Sequence, residues 1–78
     1  MLNYSIEFNL EQSKEIEIQL TDQNGNIIKT LYSGYAHSGT NKFSFNKGML
    51  PSGMYFLEIL DESKNKIQNE KIIISSSN

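Results

Sequence analysis

Residues 50–59 read Leu50-Pro51-Ser52-Gly53-Met54-Tyr55-Phe56-Leu57-Glu58-Ile59, a turn that opens directly into a β-strand. Pro51 fixes its own φ, and Gly53 can adopt the positive φ that a tight turn often needs, so the chain can reverse here. The apolar side chains that follow alternate with period two, which is the pattern of a strand with one buried face. The sequence therefore predicts a turn followed by a strand over residues 54–60, with Tyr55, Leu57 and Ile59 on its inner face.

The same period of two appears in two runs near the start of the chain. Residues 4–10 and residues 16–21 both alternate apolar with polar side chains, and each run predicts a half-buried strand. Asn24-Gly25 follows the second run, and both residues tolerate the positive φ of a type I′ hairpin turn. The apolar positions of residues 27–32 keep no strict period, which predicts a β-bulge or an edge strand.

The composition changes in the middle of the chain before the strand pattern returns. Residues 33–41 are rich in glycine and serine around Tyr35 and His37, and we expect a crossing loop there with a structural turn at Gly39. A short strand with Phe43 and Phe45 on one face follows, and residues 61–65 form another reversal. The last strand, residues 66–74, ends in three consecutive isoleucines, which indicates a strand covered on both faces or one that pairs with a further partner.

Six or seven short strands separated by turns define the expected fold class: an all-β, antiparallel, immunoglobulin-like β-sandwich. We expect one domain over residues 1–74 and a flexible tail over residues 75–78, with no helix of useful length. A chain of 78 residues buries only about 60% of its unfolded surface, so each large apolar side chain matters for stability.

Composition excludes several classes of partner and chemistry. The chain has no cysteine, so a disulfide framework and a cysteine-based metal or nucleophile site are excluded. Its net charge is −2 with no arginine, and it lacks the basic stripe that a nucleic-acid partner requires. No apolar run approaches the roughly 20 residues of a membrane span, and no charged and apolar leader follows Met1, so we expect neither a span nor a signal peptide.

These elements, taken in order, resemble the C-terminal sorting domain of type IX secretion cargo, and more distantly the immunoglobulin-like domain of flagellar hook-capping proteins. The resemblance covers almost the whole chain. The segments that carry it are the opening strand of residues 4–10, Ile16-Glu17-Ile18 with Leu20, Asn24-Gly25 with Ile28 and Leu31, Gly39-Thr40 before Phe43-Ser44-Phe45, Leu50-Pro51-Ser52-Gly53 with Tyr55, and Lys71-Ile72-Ile73-Ile74.

The resemblance implies a non-catalytic address label that an outer-membrane secretion machine recognises on a cargo protein. The cargo would be secreted or held at the cell surface after passing through the periplasm, in Bacteroidetes-type bacteria, and a sortase-like peptidase would commonly remove the domain. Members of the family often have glycine at the last hairpin turn, where this chain has Asn65, which also tolerates the left-handed conformation. The recognition candidates are Pro51, Gly53, Tyr55, Lys71, Ile72, Ile73 and Ile74.

No set of residues in the sequence indicates catalysis, a metal or a cofactor. His37 is the only histidine and has no acidic neighbour in its loop, so we interpret it as an ordinary loop residue. Asp22 and Asp61 lie in turns, where a turn-stabilising role suffices. Glu7, Glu15 and Glu17 could form a calcium-binding strip, but a solvated strand face predicts the same pattern.

Two surface features leave alternatives open. Tyr32 and Tyr35 could present an aromatic surface to a sugar, in which case the domain would be an accessory module, either a carbohydrate-binding unit or a structural spacer. Ile73 falls on the opposite face from Ile72 and Ile74, and an uncovered Ile73 would offer an apolar edge to a receptor. Weak self-association through that edge strand is a further expectation.

Overall fold

The computed structural model describes residues 3–75, and all regular structure in that range is β. The six strands are β1 (Asn3–Leu10), β2 (Lys14–Asp22), β3 (Ile27–Ala36), β4 (Gly39–Asn46), β5 (Gly53–Asp61) and β6 (Lys66–Ile74). The predicted all-β class is confirmed. The expected tail at residues 75–78 falls, apart from Ser75, outside the described residues.

The strands form two antiparallel sheets. One sheet has four strands in the order β3-β2-β5-β6, and the other has the two strands β1 and β4. The register places Ile18 of β2 opposite Ile59 of β5, and Ile6 of β1 opposite Phe43 of β4. The β2–β3 hairpin and the β5–β6 hairpin therefore form the two halves of the larger sheet, and β2 pairs with β5 at its centre.

The core lies between the two sheets. The alternating residues of β2 and β5 supply its centre, and Phe8 and Leu10 of β1 pack onto them from the smaller sheet. Phe43 and Phe45 of β4 are partly buried against the same cluster. The inner faces predicted for the first, second and fifth strands are confirmed, which gives a small immunoglobulin-like sandwich.

The prediction of a crossing loop over residues 33–41 is wrong. β3 continues to Ala36, which pairs with Lys14, and β4 already begins at Gly39, which pairs with Leu10. Both extensions gain ladder hydrogen bonds from a neighbouring strand, and that gain overrides the weak strand propensity of glycine and serine. Tyr35 consequently lies in a strand, and only His37 and Ser38 separate β3 from β4.

The irregular pattern of residues 27–32 arises from two bulges in an edge strand, as the sequence predicts. The pairing of β2 with β3 shifts between Ile18 and Gln19 and again between Leu20 and Thr21. A similar shift lies between Ile59 and Leu60 in the pairing of β5 with β6. Each bulge adds one residue to the outer strand and increases its twist.

The hairpin turns differ from the predicted type. A type I′ turn requires positive φ at both central residues, yet only Gly25 has it, with φ of 88°. Asp22 accepts a hydrogen bond from the Gly25 amide at its carbonyl oxygen, 3.0 Å away. In the last hairpin Lys64, and not Asn65, adopts the left-handed conformation, with φ of 68°. Asn65 instead donates its amide to Asp61 Oδ1 at 2.9 Å, which determines its position in the turn.

Candidate functional site: the end of the β5–β6 hairpin

The Pro/Gly turn is held in place by the first inner residue of β5. Tyr55 is buried, and its hydroxyl donates a hydrogen bond of 2.7 Å to the carbonyl oxygen of Pro51. Just before it, the Leu50 amide donates to the Lys47 carbonyl oxygen and Lys47 Nζ donates to the Leu50 carbonyl oxygen. Gly53 has φ of 157°, a positive value that residues with a side chain rarely adopt. Tyr55 is therefore an anchor of the turn and not part of the exposed surface.

The structure brings the two predicted recognition segments together. β6 pairs with β5 in a register that places Ile74 opposite Gly53, Ile73 opposite Met54 and Ile72 opposite Tyr55. The turn and the isoleucine run are thus neighbours at one end of one hairpin. β6 is also the outermost strand of its sheet, so its other edge has no strand partner in residues 3–75.

The three isoleucines of β6 have different surroundings. Ile72 and Ile74 face the core, and Ile74 is only 1% exposed. Ile73 points to the opposite face and is 58% exposed. The prediction that β6 is covered on both faces is therefore wrong, because no layer of the described chain covers the side on which Ile73 lies. The alternative, a strand end that leaves an apolar side chain uncovered, fits the structure.

An exposed patch surrounds Ile73. Residues directly opposite each other in an antiparallel pair share a face, so Met54 lies beside Ile73 and Phe56 lies beside Lys71. Met54 and Phe56 are half-buried, whereas Lys71 is exposed. We call these four residues, Met54, Phe56, Lys71 and Ile73, the terminal patch. It is an apolar surface with one positive charge.

Met54 and Phe56 were not among the recognition residues predicted from the sequence. They alternate with the inner residues Tyr55 and Leu57 along the same strand, so the period of two already placed their side chains on the outer face of β5. Their neighbours in β6 depend on the pairing register, which no local pattern reveals.

A concave feature lies beside β3, the other edge strand of the larger sheet. A cleft of about 340 Å³ opens between β3 and β4, and we call it the β3–β4 cleft. Tyr32, Tyr35 and His37 line it from β3 and the residue that follows, and Asn41 and Phe43 line it from β4. The ring of His37 lies beside that of Tyr35, one of the two tyrosines of the predicted aromatic surface, with 6.0 Å between ring centroids.

The two aspartates of the chain stabilise turns. Asp22 Oδ1 accepts hydrogen bonds from the amides of Asn24 and Asn26, each 2.9 Å long. Asp61 Oδ1 accepts the equivalent bonds from Ser63 and Asn65, also 2.9 Å long. The amide of Asn26 lowers the pKa of Asp22, and the amide of Asn65 lowers the pKa of Asp61, because these bonds favour the ionised carboxylate.

The three glutamates of the predicted calcium-binding strip do not lie on one sheet. Glu7 lies on β1, in the smaller sheet, whereas Glu15 and Glu17 lie on β2 in the other sheet. Glu17 accepts a hydrogen bond of 2.8 Å from Lys64 Nζ, and Glu7 forms a long ion pair of 3.8 Å with Lys42. Within residues 3–75 no group of three or more histidine or acidic side chains could hold a metal ion.

Comparison with protein families identifies the class of domain. The family model for the secretion system C-terminal sorting domain matches residues 3–75, nearly the whole chain. No curated protein sequence and no solved structure matches significantly. In the described residues, no helix is long and apolar enough to cross a bilayer.

The chain therefore belongs to the secretion-system C-terminal sorting domains, the family of the type IX secretion system. A domain of this family acts as a sorting signal in the protein that carries it, and such a protein is secreted or displayed on the cell surface.

Proposed function

We propose that this domain is a non-catalytic sorting signal bound by the outer-membrane machine of type IX secretion, and that the machine binds β6 and the terminal patch. The observation that carries the proposal is the end of β6, where an exposed isoleucine and an unpaired strand edge lie side by side. Membership of the sorting-domain family supports the partner.

The chemistry of this region suits recognition by strand addition. The free edge of β6 presents backbone N–H and C=O groups to which a receptor strand can bond, and these groups supply affinity. The terminal patch supplies specificity through Ile73, Met54 and the charge of Lys71. Weak self-association of two β6 edges would use the same groups and stays a prediction.

The surroundings of the titratable residues support a non-catalytic role. The carboxylates of Asp22 and Asp61 are occupied by turn hydrogen bonds. His37 contacts the ring of Tyr35, with 6.0 Å between ring centroids. Among the described residues, no nucleophile, base and orienting group meet at hydrogen-bonding distance around it.

An export assay tests the proposal directly. The domain is fused behind a signal peptide and a reporter protein in a host that has a type IX system, and the reporter is measured in the periplasm and in the medium. We expect the reporter in the medium or at the cell surface. Retention of a folded reporter fusion in the periplasm would overturn the proposal.

A pair of matched variants tests the binding surface. Ile73→Ser should strongly reduce export, whereas Ile27→Ser should leave it unchanged, because the two side chains are similarly exposed, at 58% and 60%, on opposite edge strands. Denaturation of each purified variant confirms that both remain folded. Equal export of the two variants would show that the machine does not use the terminal patch.

A further inference from the structure

The exposed apolar side chains of this domain are concentrated on one edge strand. Within residues 3–75 six large hydrophobic side chains are exposed, and four of them lie on β3: Ile27, Ile28, Tyr32 and Tyr35. Lys29 is the one charged residue among the ten of that strand. β3 therefore combines a free edge, β-branched and aromatic residues and little charge, which are the properties of a strand that pairs with a further strand.

The other edge of the same sheet differs from β3 in charge. β6 carries Lys66, Glu70 and Lys71, and all three side chains are exposed. Charged side chains on an edge strand oppose pairing with further strands. A strand that pairs with β6 must accommodate three charges, whereas one that pairs with β3 must accommodate one. Association of two copies is therefore favoured at β3.

The pairing of β3 with β2 shows which way the side chains of β3 point. Residues directly opposite each other share a face, and Ile18 is a core residue on the inner face of β2. Tyr32 lies opposite Ile18 and points inward, whereas Thr30 lies opposite Gln19 and points outward. The bulge leaves Leu31 with no opposite residue in β2, and its side chain packs against the core. Leu31 and Tyr32 are thus consecutive residues on one face.

This break in the alternation makes β3 complementary to itself. When two identical edge strands pair antiparallel within one sheet, a two-fold axis perpendicular to the sheet relates them, and residues that meet must lie on the same face. Around an axis between residues 31 and 32, Leu31 meets Tyr32 of the second copy on the inner face. Thr30 meets Ser33 on the outer face, since Ser33 lies opposite Glu17. A strand without the bulge could not have its axis there, because consecutive side chains would point to opposite faces.

The ends of the paired segment are also compatible with this register. Lys29 meets Gly34 of the second copy on the inner face, so the one charge of each strand lies opposite a residue without a side chain. Beyond Gly34, the Tyr35 carbonyl oxygen already accepts a hydrogen bond of 2.7 Å from the Tyr32 hydroxyl. The second bulge, at Ile28, lies outside residues 29–34. The bulge at residue 31 lies at the axis, so the two edges twist at the same point.

We propose that the domain forms a homodimer in which the β3 edges of two copies pair antiparallel over residues 29–34. Two sheets of four strands join into one continuous sheet of eight. β6 lies at each end of that sheet, because β3 and β6 are the opposite edges of the sheet in one copy. The dimer therefore leaves the terminal patch of both copies free and does not depend on the sorting proposal.

Sedimentation velocity of the purified domain at increasing concentration tests for the dimer, and a charge-swap pair of variants tests its register. Thr30→Lys combined with Ser33→Lys places like charges opposite each other across the axis and should abolish the dimer. Thr30→Glu combined with Ser33→Lys places opposite charges there and should retain or strengthen it. Both positions are exposed, so both double variants should fold, which circular dichroism and urea denaturation check.

Ile73→Ser separates the two edges of the sheet and should dimerise as the unmodified domain does. Loss of the dimer in Ile73→Ser, with the dimer unchanged in the double lysine variant, would place self-association at β6 and overturn the proposal. A domain that stays monomeric at every concentration would overturn it as well. Equal association of the two folded double variants would exclude the register over residues 29–34.

Discussion

Single residues determine the two turns that reverse the chain in the larger sheet. Asp22 and Asp61 make the same set of bonds, each accepting two backbone amides at one carboxylate oxygen. Each turn also places one residue in the left-handed conformation, Gly25 in the first and Lys64 in the second. The shared Asp-x-x-x-Asn spacing is visible in the sequence and could have indicated that the two hairpins have the same turn structure.

The ionised turn aspartates make stability depend on pH. Folding lowers both pKa values below the unfolded value of 3.8, so their contribution is complete above pH 3.8 and is lost as the pH falls through the folded values. We expect the Asp22→Ala, Asp61→Ala double variant to be less stable than the unmodified domain at neutral pH. The difference should shrink below pH 3.8, as measured by urea denaturation across pH.

Glu62 provides a control within the same turn, because its exposed side chain makes none of the turn hydrogen bonds. Glu62→Ala should leave both the stability and its pH dependence nearly unchanged. A stability difference for the double variant that is the same at acidic and neutral pH would contradict the role of the ionised carboxylates.

At the scale of the element, β6 combines a core strand and an exposed edge. Ile72 and Ile74 belong to the core cluster between the sheets, while Ile73 lies outside it. A run of three isoleucines satisfies both needs because strand side chains alternate between faces. Stability and recognition therefore depend on different residues of one strand.

Adjacent alanine substitutions in β6 should separate these two roles. Ile74→Ala should cost about 2–5 kcal/mol, because a fully buried side chain leaves a cavity. Ile73→Ala should change stability by no more than about 0.5 kcal/mol, since its side chain is mostly exposed. The free energies of unfolding come from urea denaturation at neutral pH. Similar losses for the two variants would mean that the outer face of β6 is covered in solution.

At the scale of the whole molecule, two sheets of unequal size share one core. β1 contributes Phe8 and Leu10 to the cluster built around β2 and β5, and the Gln68 side chain of β6 donates to the Glu7 carbonyl oxygen of β1 at 3.2 Å. The smaller sheet has too little apolar surface to be stable alone. We expect both sheets to unfold together.

Phe8→Ala tests this cooperativity. It should lower global stability by about 3–5 kcal/mol, because a buried aromatic ring is removed from the contact between the sheets. Hydrogen exchange should show similar losses of protection for the amides of β4 and β5. Ser5→Ala, an exposed position on the same strand, serves as the control. Loss of protection in β4 with β5 unchanged would show that the sheets are separate folding units.

Much of this architecture could be predicted locally. Alternation located β1, β2 and β5 and identified their buried faces, because the period of two is a property of the strand itself. The bulges of β3 were also visible as a broken period. Residues 33–41 were mispredicted, because their strand conformation comes from pairing with β2 and β1 and not from their own propensity.

The features of the candidate sites also fall into two groups, those that local sequence specifies and those that depend on the tertiary structure. The sequence alone determined most of the strands and turns and the apolar side of β1, β2 and β5, since these depend on neighbours within a few residues. Only the tertiary structure decided that Ile73 lies beside Met54 at an unpaired edge, and that the ring of His37 lies beside that of Tyr35. Register and sheet packing join residues distant in the chain, and no local pattern specifies those partners.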